Sequence, residues 1–139
     1  MWRFGSLARR KALVLLALGI ALGAAIWLFS PWLTGKVEPW DAEELVWSLA
    51  PIWPLSWLAV AVLGGLTGHV RGICLPLGYA LGQMLVTIES VLMGPFGALG
   101  WIFIGIYAAV AIVIALGLIG ATTLLKYLWR THGAKVDHA

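Results

Sequence analysis

Four long apolar runs dominate the chain, and none of them alternates between apolar and polar positions. Residues 12–29, ALVLLALGIALGAAIWLF, hold no charged or amide side chain. The run is close to the roughly 20 helical residues that a hydrocarbon core of about 30 Å requires. Residues 53–68 form a second run, which reaches spanning length if 49–52 belong to the same helix. Residues 73–93 form a third, interrupted by Gln83 and Glu89, and 98–125 form the longest. Transmembrane strands would alternate, so the pattern predicts helices. The expected fold is an all-α integral membrane protein, a bundle of four transmembrane helices near 12–30, 50–68, 73–93 and 98–122.

Between the first two runs the pattern changes to EPWDAEELVWSLAPIW. Leu45, Leu49 and Ile52 recur at spacings of four and three, the period of one helix face. Pro39 suits a first helical turn, where its missing N–H is not needed. Asp41, Glu43 and Glu44 favour a helix N-terminus, where unpaired amides attract negative charge. A short external amphipathic helix is therefore expected over 40–50, turning at Pro51 and Pro54 into the second span. Trp40, Trp47, Trp53 and Trp57 mark a membrane–water boundary, where the ring favours lipid and the indole N–H a polar partner. Trp57 sits deep for such a belt and suits helix packing better. The acids and tryptophans are open to three uses: anchoring the helix end, docking a partner, or holding a ligand. The candidate partner interface is Trp40, Asp41, Glu43, Glu44 and Trp47.

Composition supports lipid as the solvent. Of 139 residues, 62% are hydrophobic and 11% charged, against about 25% charged in soluble domains. The mean hydropathy is +0.97. A cleaved secretory signal is the alternative for the first run, but bulky Trp32 and Leu33 follow it and its apolar stretch is long for a signal. A retained first helix is the better expectation.

Charge position sets the orientation. Arg3, Arg9, Arg10 and Lys11 precede the first span, Arg71 lies between the second and third, and Lys126, Arg130 and Lys135 follow the fourth. With four spans, only Lys36 falls on the other side. The short-loop bias of Lys and Arg then places both termini in the cytoplasm of a bacterial inner membrane. The expected organisation is a basic cytoplasmic N-terminus (1–11), a four-span membrane domain (12–125) with an external acidic loop (31–50), and a basic cytoplasmic tail (126–139) that is mobile from 131. Such basic ends contact anionic lipid headgroups, and nothing calls for nucleic acid.

Small residues recur at intervals of four in Gly19/Gly23, Gly64/Gly68 and Gly78/Gly82, with a weaker version in Gly100, Ile104 and Ala108. Such pairs permit close helix contact in lipid, within one chain or between chains. Gly65, Gly68 and Gly72 suit a tight cytoplasmic turn, and Pro76 falls where the third helix least needs a donor. The candidate intramembrane polar residues are Gln83 and Glu89. Gln83 shares a helix face with Thr87, whereas Glu89 lies about 240° around from it on an ideal helix. Gln83 is expected to make an interhelical hydrogen bond. Glu89 is expected to reach the external headgroups, with a partner contact or a proton or cation role as alternatives.

No catalytic constellation is evident. Cys74 is the only cysteine, and paired with His69 it would supply two ligands, fewer than a structural zinc site needs. His132 and His138 lie in the tail, and Ser56 and Ser90 have no evident activating partner. There is no GxxxxGK[ST] phosphate loop. No catalytic residue, metal or cofactor is expected.

The order of first span, PWDAEELVW, second span and GHVRG resembles the small four-helix membrane subunit of the tripartite periplasmic (TRAP) transporters. Trp40, Glu43, Glu44, Leu45, His69 and Arg71 carry the likeness, over about one quarter of the chain. It implies a chain that supports a large transport subunit rather than binding substrate itself. The segment APIWPLSW, with two prolines, departs from that pattern, and no distinctive match follows Gly72. The function expected from the residues is a non-catalytic accessory or scaffold subunit of a larger inner-membrane complex. Its partners would be membrane lipids and another integral membrane subunit, or a second copy. The alternative is a small oligomeric transporter or channel using Glu89 and Gln83.

Overall fold

The computed structural model describes residues 2–34, 52–93 and 97–136. The described chain is helical throughout: α1 (Trp2–Thr34), α2 (Ile52–Leu66), a 3-10 turn (Val70–Ile73), α3 (Cys74–Val86), α4 (Ile88–Met93) and α5 (Gly97–Val136). α3 and α4 are one helix interrupted at Thr87, so the described residues form four helical rods. The expected amphipathic helix at 40–50 lies outside the described residues.

Two helical stretches, Ser6–Phe29 in α1 and Ala98–His132 in α5, are long and apolar enough to cross a membrane. Only 11% and 28% of their most apolar segments are buried within the protein. Internal packing therefore does not account for their apolarity, which is the pattern of helices facing lipid. α2 and α3 are shorter. The 15 residues of α2 extend about 22 Å, less than a hydrocarbon core.

The contacts define the topology. Gly19 of α1 meets Leu75, Gly78 and Tyr79 of α3, and Gly82 of α3 meets Ile20 and Ala24 of α1. Both numbers rise together, so α1 and α3 run parallel. Trp53 of α2 packs on Tyr107 of α5 and Gly65 on Leu118, so α2 and α5 are also parallel. Ser56 meets Tyr79, and Gly64 meets Gly72, so the two pairs oppose each other. The start of α1, the turn at 67–73 and the end of α5 consequently share one end of the bundle. That end carries Arg9, Arg10, Lys11, Arg71, Lys126 and Arg130, while Glu89 lies toward the other.

Glycine sets the α1–α3 separation. A Cβ on Gly19, Gly23, Gly78 or Gly82 would run into backbone of the facing helix. Main chain therefore touches main chain, and these glycine faces are occupied within the molecule. Gly64/Gly68 works differently. Gly64 packs against Gly72, whereas Gly68 has φ +66° and ends α2 in the left-handed conformation. Its N–H donates to the Gly65 carbonyl at 3.1 Å, the arrangement that glycine favours after a helix.

The remaining core lies among α2, α3 and α5. On α5 the buried positions are Ile104, Ala108, Ala111, Ala115 and Ile119, spaced by four, three, four and four along one face. α5 continues to Val136 rather than ending near Arg130. Leu, Lys, Tyr, Trp and Arg all tolerate a helix, and no proline interrupts them. The segment expected as a mobile tail is thus helical through 136.

Candidate functional site

The strongest concentration of polar groups in the interior joins α2, α3 and α5. Pro54 and Pro76 lie in the opening turns of α2 and α3, where helical N–H groups have no carbonyl partner to lose. One turn beyond each, Trp57 and Tyr79 enter the core. Trp57 meets Tyr79 edge-on with centroids 4.7 Å apart, and Trp53 stacks at a tilt on Tyr107 at 4.5 Å. Trp53 and Trp57 are 4% and 2% exposed. Trp57 thus packs between helices, as its depth suggested. Trp53 is also turned inward, which corrects its assignment to the lipid boundary: the ring finds Tyr107 before it finds lipid.

The hydrogen bonds run in one direction. The Ser56 hydroxyl donates to the Trp53 carbonyl at 2.6 Å. Its single proton is thereby used, so the Tyr79 hydroxyl donates to Ser56 Oγ at 2.5 Å. One turn along α3 from Tyr79, Gln83 is fully buried and lies against the Tyr79 hydroxyl without reaching full hydrogen-bond geometry. The interhelical bond expected of Gln83 is made by Thr87 instead. Trp101 Nε1 donates to Thr87 Oγ1 at 3.1 Å, and Thr87 Oγ1 donates to the Gln83 carbonyl at 2.8 Å. The indole nitrogens of Trp53 and Trp57 also lack partners. Three buried polar side chains therefore go unsatisfied in an apolar interior, a costly arrangement.

The other sequence-derived candidates scatter. Gln83 and Thr87 share the buried face, while Glu89 is exposed on α4. Trp40, Asp41, Glu43, Glu44 and Trp47 lie outside the described residues. Cys74 is half-buried at the start of α3. Among the described residues no three His, Cys, Asp or Glu side chains converge as a metal-ligand set.

Two surface features escaped the sequence patterns. On α5, opposite the core face, Gly105, Ala109, Val113, Gly117 and Ala121 are exposed. They recur every four residues as a ridge of small side chains broken by Val113, and no atom of the described residues lies within 4 Å of a Cβ placed on Gly105 or Gly117. The ridge was legible as spacing, but only packing shows which face of α5 is free. The second is a groove at the basic end, where α1 passes the turn at 67–71. Its residues lie some 60 positions apart in the chain, so no local motif announces it. The chain matches no protein-family model, no curated protein and no solved structure, and the likeness to the small TRAP subunit gains no support from them.

Proposed function

We propose that this chain is a non-catalytic accessory or scaffold subunit that associates with another membrane protein. The observation carrying this is the contrast between the two faces of α5. One face is buried on α2 through Ile104, Ala108, Ala111 and Ala115, and the other presents the open ridge from Gly105 to Ala121. Small side chains on a lipid-facing helix permit backbone-to-backbone approach by a second helix, the main source of association where lipid removes the hydrophobic drive. The glycines of α1 and α3 are already occupied by each other, so the docking face is narrowed to α5. The acidic and aromatic segment Trp40, Asp41, Glu43, Glu44 and Trp47 is a further docking element in this proposal, on the side away from the basic end. The proposal includes four spans and a bacterial inner membrane with both termini cytoplasmic.

A packed interior favours this over a conduit within one chain. Trp53, Trp57, Tyr79 and Tyr107 fill the space between α2, α3 and α5. Gln83 is sealed in the core while Glu89 is exposed, so the two do not line one path.

The test is partner recovery by crosslinking and mass spectrometry in native membranes. Filling the ridge with Gly105→Leu and Gly117→Leu should abolish a specific crosslinked partner at unchanged protein level. A monodisperse monomer without crosslinks, or a partner set indifferent to both substitutions, would overturn the proposal.

A further inference from the structure

α1 meets two different neighbours along one face. From Leu16 onward it lies against α3, which begins at Cys74. Below that point α3 has run out, and the turn at 67–71 takes its place. The result is an open groove of about 440 Å³. Arg10 and Lys11 line it from α1, and Thr67, His69 and Arg71 from the turn. Its α1 wall continues through Leu7, Val14 and Leu15. Leu7, Arg10, Lys11, Val14 and Leu15 recur by three and four, so apolar and cationic groups share one strip of helix.

The turn is held in shape independently of any ligand. The Thr67 hydroxyl donates to the Gly64 carbonyl at 2.7 Å, and Gly72 N–H donates to the His69 carbonyl at 2.8 Å. Arg71 is therefore presented on a fixed backbone. No acidic residue lines the groove, and Glu89, the only acid among the described residues, lies toward the other end of the bundle. Three exposed cations thus line the groove, and no acid among the described residues faces them there.

We propose that this groove binds one anionic phospholipid, its phosphate held by Arg10, Lys11 and Arg71 and an acyl chain laid along Leu7, Val14 and Leu15. Arginine suits phosphate because its planar fork pairs two oxygens at once. A soluble phosphate would use the cations but not the apolar wall. That wall continues into the stretch of α1 that faces lipid, so the ligand is amphiphilic. The groove differs from a general basic belt in drawing cations from two segments onto one headgroup. The proposal requires that α1 lie in a bilayer, and is independent of the accessory-subunit role.

The test is native mass spectrometry of the full-length protein in detergent, titrated with phosphatidylglycerol or with phosphatidylcholine of matched chains. One phosphatidylglycerol should bind in preference. The Arg10→Gln/Arg71→Gln double variant should weaken it roughly 30-fold, about fivefold per arginine. Arg130→Gln, at the same end but off the groove, should leave it unchanged, and Arg10→Lys/Arg71→Lys, which keeps both charges but loses the forks, should fall between the native chain and the double Gln variant. Circular dichroism and thermal unfolding keep loss of fold distinguishable from loss of binding. Equal binding of the two lipids, or a double variant that keeps its phosphatidylglycerol, would overturn the proposal. Displacement of the lipid by inorganic phosphate would also overturn it, since the site would then belong to a free anion.

Discussion

Gln83 is the residue whose placement is hardest to explain by stability. Its amide is fully buried against the Tyr79 hydroxyl, but in a geometry that falls short of a full hydrogen bond. A buried unsatisfied amide costs about 1–3 kcal/mol, and an apolar group of similar shape removes that cost. Gln83→Leu is therefore expected to stabilise the protein by about 1 kcal/mol, read from thermal or denaturant unfolding in detergent. A loss of stability of that size would show instead that the amide is engaged. Thr87 makes the contrast: one turn further along the same face, its hydroxyl links Trp101 to the Gln83 carbonyl. The sequence placed both residues on one face through their spacing of four. Which of them reached another helix depended on Trp101, fourteen residues past Thr87, and spacing within one helix does not encode that.

At the scale of helices, glycines of equal appearance have opposite roles. A methyl on Gly78 would meet the Leu16 carbonyl, whereas one on Gly117 would meet nothing. Gly78→Ala should destabilise the α1–α3 contact by about 1–3 kcal/mol, the usual cost of overpacking a close contact. Gly117→Ala should be neutral or stabilise by up to about 1 kcal/mol through helix propensity. Unfolding of the two variants side by side checks both, and equal costs would refute the assigned packing. α1 and α5 were legible because each is a long, unbroken apolar run, and such runs survive any arrangement of partners. Their ends were less so. α5 continues through Lys126, Tyr127, Trp129 and Arg130 because these residues suit a helix whether or not lipid surrounds it. The pairing of Gly19 and Gly23 with Gly78 and Gly82 was equally hidden. Each pair announces a close contact, and neither names its counterpart.

For the whole molecule, the antiparallel pairing of α1/α3 with α2/α5 brings both described chain ends to the side of the turn at 67–73. In a Cys74→Ser background, single cysteines at Arg9, Arg71 and Arg130 should label together from one side of sealed vesicles with an impermeant thiol reagent. Lys36→Cys should label from the other. Labelling of Arg9→Cys and Arg130→Cys from opposite sides would overturn the even number of crossings. The described positive charge gathers at one end while Glu89 lies toward the other, and in the proposed membrane placement the Lys/Arg bias would make that end cytoplasmic.

The contact between α1 and α3 also has a consequence for how the chain is made. α1 leaves the ribosome before α3, yet the helix it fits closely is separated from it by α2. Leu75 follows Gly23 by about 50 residues, a few seconds of synthesis at roughly 5–20 residues per second. During that interval the glycine strip of α1 has no complement from its own chain. In the proposed four-span placement it would be sheltered by lipid or by the insertion machinery until α3 enters the bilayer. A nascent chain arrested after α2 should therefore carry α1 as a separable helix, and only release of α3 should lock it in place.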